Sequence, residues 1–289
     1  MSVIVFVLTL DEIDGVSQIM PQVKKEWADR IIFVDGGSTD GTVEKAKELG
    51  FEVIHQKNKG EGNACRVGTD ATDSDYVMFF SPDGNDVPED ILRLIQKSEE
   101  GYDVVHISRF GKNSQSDDAN MLEYFGNKMF TFLVNTFFGG NYTDALNGFR
   151  IIKRDIWNEL RTDAQHLDIE QQTCIRCAKR KIPIYQIDGR EPARIGGERI
   201  MRPLTTGSQL SYQIIKEFIF WDFYQIFLNL TLYSHFLAKF CHLSSHFLMP
   251  LLSVPQILEV YGLYEILILM LFYQKILYNP VDLYDFQFP

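Results

Sequence analysis

The stretch Phe33-Val34-Asp35-Gly36-Gly37-Ser38-Thr39-Asp40-Gly41-Thr42 governs how the rest of the chain is read. It leaves an apolar run through a carboxylate, turns on two glycines and opens a helix with Ser38, Thr39 and Asp40 as candidate caps. A carboxylate at the carboxyl end of a strand can accept hydrogen bonds from a nucleobase or ribose, and the following helix start supplies free amide donors. Taken alone, such a composition also fits an ordinary turn, so its neighbours decide its meaning.

Outward from this turn, short apolar runs alternate with helical patterns over residues 1 to about 110. Val3 to Leu8, Arg30 to Val34, Phe51 to His55, Tyr76 to Phe80 and Val104 to Ile107 read as strands buried on both faces. Val16 to Trp27, Thr42 to Leu49, Gly62 to Ala71 and Pro88 to Ser98 have helical spacing. This alternation predicts an α/β fold, a Rossmann-like, mostly parallel open sheet flanked by helices, with ligands at the carboxyl ends of the strands. Leu8-Thr9-Leu10-Asp11-Glu12, the Asp35 turn, Asn58-Lys59-Gly60-Glu61-Gly62-Asn63-Ala64 and Ser81-Pro82-Asp83-Gly84-Asn85-Asp86-Val87-Pro88-Glu89 all fall on that edge. Four polar loops at one rim form a pocket.

Composition narrows what the pocket takes. At 289 residues, 45% hydrophobic and 23% charged, the chain is an ordinary globular sequence and not a disordered or disulfide-scaffold one. A net charge of −11 repels polyphosphate backbones, so nucleic acid is not an expected partner and any anionic ligand must be gripped locally. Cys65, Cys174, Cys177 and Cys241 make no disulfide framework, and Cys174 and Cys177 read as packed thiols on a helix. Met1 to Leu10 lacks a basic leader and a cleavage site, and reads as a buried strand.

Further along, residues 117 to 138 carry an amphipathic helix with Met121, Leu122, Phe125, Met129, Phe132, Leu133 and Phe137 on its apolar face, expected to pack on the sheet, the alternative for so wide an aromatic face being contact with a membrane. Another helix runs from Asp168 to Arg180, a strand from Ile182 to Ile187, and a Gly- and Arg-rich loop from Gly189 to Arg202 into a helix ending near Trp221. Past that point aromatics crowd and charges thin out. Residues 1–220 thus read as one domain and 221–289 as a mainly helical, aromatic-rich C-terminal module. The uncharged runs Phe223 to Ala238 and Phe240 to Leu258 are borderline in length for a span, and suggest either a membrane-associated hairpin or a soluble dimerisation module.

In order and spacing these motifs resemble the family 2 glycosyltransferases of GT-A fold, and within them the polyprenyl-phosphate (dolichyl-phosphate) mannosyl- and glucosyltransferase branch, over residues 3 to about 220. The resemblance implies that Thr9, Glu12 and Asp35 hold the nucleotide. It implies Mg²⁺ or Mn²⁺ on an Asp-x-Asp motif after the fourth strand. Ser81 stands where the first aspartate usually is, leaving Asp83 and Asn85 as metal ligands, with water or the Ser81 hydroxyl replacing the lost carboxylate. Ser108-Arg109-Phe110, Phe125-Gly126-Asn127 and Thr143-Asp144-Ala145-Leu146-Asn147-Gly148-Phe149-Arg150 look like the segments in which arginines bind the acceptor's phosphate. Arg109 and Arg150 take that role, Asp144 contacts sugar or acceptor, and Arg194 and Arg199 lie in a loop that closes over the diphosphate.

A hydroxyl acceptor needs a general base, whereas a lipid phosphate is already anionic near neutral pH, with a second pKa of about 6. Asp168 and Glu170 lie where hydroxyl-directed relatives place their acid; here Asp168 either positions substrate or caps its helix. The expected activity is inverting transfer of mannose or glucose from a GDP- or UDP-linked sugar to a polyprenyl phosphate, at the cytoplasmic face of a membrane, by a monomer or homo-oligomer. The alternatives are a hydroxyl acceptor or a non-catalytic nucleotide-sugar binder.

Overall fold

The computed structural model describes residues 1–196 and 201–219. Seven strands form one sheet in the order β3-β2-β1-β4-β7-β5-β8. They are β1 (Val3–Thr9), β2 (Arg30–Asp35), β3 (Glu52–His55), β4 (Tyr76–Phe80), β5 (Val104–Ser108), β7 (Arg150–Lys153) and β8 (Tyr185–Asp188); β6 (Gln115–Ser116) pairs with β9 (Arg190–Glu191) apart from it. The five expected parallel strands are present, and the fold is the GT-A arrangement of a mostly parallel open sheet flanked by helices.

Val, Ile and Phe residues fill both faces of the central strands, as a doubly covered sheet requires. Val5, Val7, Phe33, Met78 and Phe80 pack on one side with α1 (Ile13–Ile19) and α4 (Asp90–Glu99). Phe6, Ile32, Phe79 and Trp157 pack on the other with α3 (Glu61–Asp70) and α6 (Arg154–Leu160). The helix α2 (Thr42–Glu48) follows β2. In the β1–β2 register Thr9 lies beside Asp35, so the first two polar loops emerge at one point of the rim.

Three expectations are corrected. The helix read as Val16 to Trp27 stops at Ile19 and continues as two 3-10 turns, Met20–Gln22 and Lys25–Trp27, because Pro21 has no N–H for the α-helical ladder. The strand read from Ile182 begins at Tyr185, after Pro183. The helix α5 (Met121–Phe138), started by an Asn120–Glu123 capping box, turns its expected core face outward. Met121, Leu122, Phe125 and Phe132 are exposed, while Phe130, Val134 and Phe138 pack with Cys174 and Ile175 of α7 (Asp168–Lys179) and with Leu210 and Ile214 of helix 203–219.

Cys65, Cys174 and Cys177 are buried free thiols. Among the described residues no helix is long and apolar enough to cross a membrane. Arg199, Cys241 and the uncharged runs after Trp221 lie outside the described residues.

Candidate active site

At the end of β2, Asp35 accepts the N–H groups of Gly37 (2.9 Å) and Ser38 (3.2 Å) and faces His55 Nδ1 at 3.1 Å. Burial alone would raise its carboxyl, but these bonds hold it below the usual carboxylate range. The first two loops are laced together: Asp11 accepts Thr39 N–H at 2.7 Å, and the Thr42 hydroxyl accepts Glu12 N–H at 2.9 Å. Thr9 and Asp35 are register partners, and Glu12 is tied to the second loop through Thr42.

The β4–α4 loop brings in Asp83. Its Oδ2 accepts from Arg194 Nη1 at 2.6 Å, and the other end of the same guanidinium bonds Glu12 Oε1. A strap of residues 192–196 seats Arg194 there: Ile195 N–H donates to Asp83 O at 2.7 Å, and Asn85 Nδ2 donates to Pro192 O at 2.8 Å. Gly84 has φ +93°, and a side chain there would meet Ile195 at 2.7 Å, so glycine lets the strap lie flat on the loop. Burial pushes the Glu12 carboxyl up to about 7 against the pull of Arg194, with a further push from Asp83.

The donor set suits a hard divalent ion. Asp83, Glu12, Asn85 and Ser81 all offer oxygen, and Glu12 Oε2 and Thr9 Oγ1 are buried without a hydrogen-bond partner among the described residues. No three His, Cys, Asp or Glu among those residues group as a complete metal site, so phosphate and water oxygens would have to finish the shell. Ser81 gives its N–H to Asp86 at 2.8 Å. Burial, and then Asp83, push the Asp86 carboxyl well above the usual range.

Beyond β5 the expected acceptor residues are tied to one another. Arg109 Nε bonds Asp144 at 2.7 Å, Nη1 bonds Glu191 at 2.9 Å, and Nη2 donates to Leu146 O at 3.1 Å. Asp144 is fully buried and also accepts Asn127 Nδ2 at 2.8 Å; burial would raise it, but Arg109 holds it far below the usual range. Lys128 Nζ donates to Phe110 O at 2.9 Å, and both Lys128 and Arg109 lie 5.4 Å from the Phe110 ring centroid. Lys128 and Glu191 were not singled out in the sequence. Glu191 sat inside the loop motif, and Lys128 follows directly on the Phe125-Gly126-Asn127 segment.

Arg150 does not reach the rim. It is 2% exposed on β7, bonded to Glu170 and to Asn147 O, because β7 runs through the middle of the sheet and turns this residue inward. Glu61 faces Glu170 across Gly148, and burial, then that neighbour, push its carboxyl well above the usual range. Asp168 is the first residue of α7 and accepts His166 N–H at 3.1 Å from the preceding loop, while the helix start carries no side-chain cap, so the expected capping role is not made. At the start of α3 a hollow of about 540 Å³ is lined by Lys57, Asn58, Lys59, Asn63, Arg66 and Gln165.

A mostly parallel open sheet whose rim gathers a hydrogen-bonded carboxylate, several oxygen donors and an arginine strap has the build of a ligand-binding enzyme of the open α/β class. Residues 14–161 match the model of glycosyl transferase family 2, and the chain belongs to that family. Among curated relatives, glycosyltransferase AglJ of Haloferax volcanii is 28% identical over 175 residues, which is 60% of this chain and 57% of that protein's length. The dolichyl-phosphate hexose transferase of the same organism is 28% identical over 188 residues, 64% of this chain and 79% of the relative. Among solved structures, glucosyl-3-phosphoglycerate synthase of Mycobacterium tuberculosis, crystallised with Mn²⁺, UDP and phosphoglyceric acid, superposes with a TM-score of 0.58 at 21% identity, over 74% of this chain and 76% of that one. At that identity the likeness is one of fold.

Proposed function

We propose that this chain moves a hexosyl group, mannose or glucose, from a GDP- or UDP-linked sugar to a polyprenyl phosphate, with inversion, at the cytoplasmic face of a membrane. One observation carries the choice of acceptor. The two acids that a hydroxyl acceptor would need as a base are both engaged: Glu170 pairs with buried Arg150, and Asp168 accepts the N–H of His166 in the loop before its helix. A phosphate acceptor needs positioning and charge, not deprotonation. The dolichyl-phosphate hexose transferase relative supports the same acceptor class.

In this reading Asp35 and Thr9 hold the nucleoside. Asp83 and Asn85 hold Mg²⁺ or Mn²⁺, as the Mn²⁺ in the structural neighbour supports; when bound, the cation neutralises diphosphate charge and eases its departure. Arg194, with Arg199, takes up charge on the leaving diphosphate, which requires Arg194 to let go of Glu12 and Asp83. Arg109 and Lys128, flanking Phe110, receive the acceptor phosphate, with Asp144 and Glu191 fixing the Arg109 fork. Arg150 supports this site from beneath through Asn147.

The test is a screen of labelled GDP- and UDP-sugars against membranes containing a short polyprenyl phosphate, with and without Mn²⁺, reading label in the lipid phase. Label only on a soluble hydroxyl acceptor would overturn the reading.

A further inference from the structure

The sequence lacks the first acid of the metal motif, yet the structure does not leave Asp83 alone. Glu12, from the loop after β1, comes to the same point, and its carboxylate and that of Asp83 take separate nitrogens of one guanidinium. The approach is built in. A Cβ at Gly15, one turn into α1, would stand 2.3 Å from Pro82 O and 3.1 Å from Asp83 Cα, so only glycine lets α1 come this close to the β4–α4 loop.

The charge at this point is unfinished. Among the described residues the two carboxylates share one guanidinium. Glu12 is 5% exposed, and its Oε2 has no hydrogen-bond partner among the described residues. Burying an anionic oxygen unpaired is costly unless something occupies it in the working state. A guanidinium satisfies one oxygen of each carboxylate; a divalent ion would satisfy both groups by direct coordination and match their summed charge.

From this convergence we infer that Glu12 is the second carboxylate ligand of the divalent cation, supplied by the β1–α1 loop in place of the acid missing at Ser81, with Arg194 standing in for the ion until donor and metal arrive. This rests on the nucleotide-sugar reading above, but assigns Glu12 to the cation and not to the nucleoside. The strap arginine and the metal then exclude each other on these two carboxylates. Loading the cation frees Arg194 for the diphosphate.

The experiment is a Mn²⁺ titration followed by electron paramagnetic resonance, on the full chain alone and with UDP or GDP. It compares wild type, Glu12→Gln and Arg194→Ala, with metal-free nucleotide affinity measured in parallel. Glu12→Gln is expected to weaken Mn²⁺ binding by about tenfold or more while leaving metal-free nucleotide affinity unchanged. Arg194→Ala, which removes the competing guanidinium, is expected to tighten Mn²⁺ binding to the protein alone. Unchanged Mn²⁺ affinity in either variant overturns the inference, as does a loss of metal-free nucleotide affinity in Glu12→Gln. Failure of the wild type to bind either nucleotide counts instead against the transfer reading, since the role of Glu12 is read from Mn²⁺ on the protein alone.

Discussion

Arg109 Nε lies 2.7 Å from Asp144 Oδ2, and the carboxylate of this pair is fully buried. Removing one partner of a buried pair costs up to about 3–5 kcal/mol, and toward the lower end here because Arg109 keeps Glu191 at 2.9 Å. Asp144→Ala should therefore lose stability on that scale in urea denaturation, because Asn127 Nδ2 and Leu146 N–H lose their acceptor as well. Asp144→Asn, which keeps the volume and an acceptor oxygen, should lose less. A change within experimental error for Asp144→Ala would show that the pair does not hold this part of the fold together.

Asp83 behaves differently because it sits on the rim and Arg194 retains Glu12 when it is gone. Asp83→Ala should lower transfer by about 100-fold or more, the scale of losing a group that stabilises developing charge. The thermal midpoint should move little. Near-normal transfer with the midpoint preserved would remove Asp83 from the cation site.

His106 on β5 is completely buried, with Nε2 3.3 Å from Gln186 Oε1 and Arg150 as its register partner on β7. Burial, and then Arg150, bring its pKa down to about 4, with Asp144 pulling the other way and Arg109 adding to the fall. Its unfolded value of 6.5 is higher, so as pH drops the unfolded chain takes up the proton first. Stability from this group is whole above pH 6.5 and is lost as pH falls toward about 4, by up to about 3 kcal/mol. Urea melts between pH 4.5 and 7 should show a shallower acid slope in His106→Gln; parallel slopes would refute it.

Gly15→Ala places a methyl group 2.3 Å from a backbone oxygen that has no rotamer to escape into. The expected cost is about 1–3 kcal/mol of stability, the usual range for overpacking. Mn²⁺ affinity should fall with it, because the β1–α1 loop is pushed from Asp83. A variant with wild-type melting and Mn²⁺ binding would show that the close approach is not needed.

Much of the frame was legible because buried parallel strands announce themselves as unbroken Val, Ile and Phe runs. The strand β7 was not, since Arg-Ile-Ile-Lys is short and begins with an arginine whose pairing with Glu170 cannot be seen in one dimension. The outward face of α5 was misread for a related reason: both sides of that helix are apolar, and only Asn127 and Thr131, bonded to Asp144 and Ala145, mark the buried one. In the site, Thr9, Glu12, Asp35, Asp83 and Arg194 were named from loop positions; Thr9 and Asp35 are register partners, and Glu12 and Asp83 meet on the Arg194 guanidinium. The bridging of Glu12 and Asp83 by Arg194 joins residues up to 182 apart in sequence, which no local pattern records.

The placement of β7 also orders assembly in time. Strands β1 to β4 find their parallel neighbours within the first 80 residues, but both hydrogen-bonded neighbours of β5, β7 and β8, come later in the chain. During synthesis the amino-terminal half of the sheet is free to close early, while β5 waits for about 40 more residues before anything can pair with it. The rim is thus completed in stages, the corner of Thr9 and Asp35 before the corner of Arg109 and Asp144.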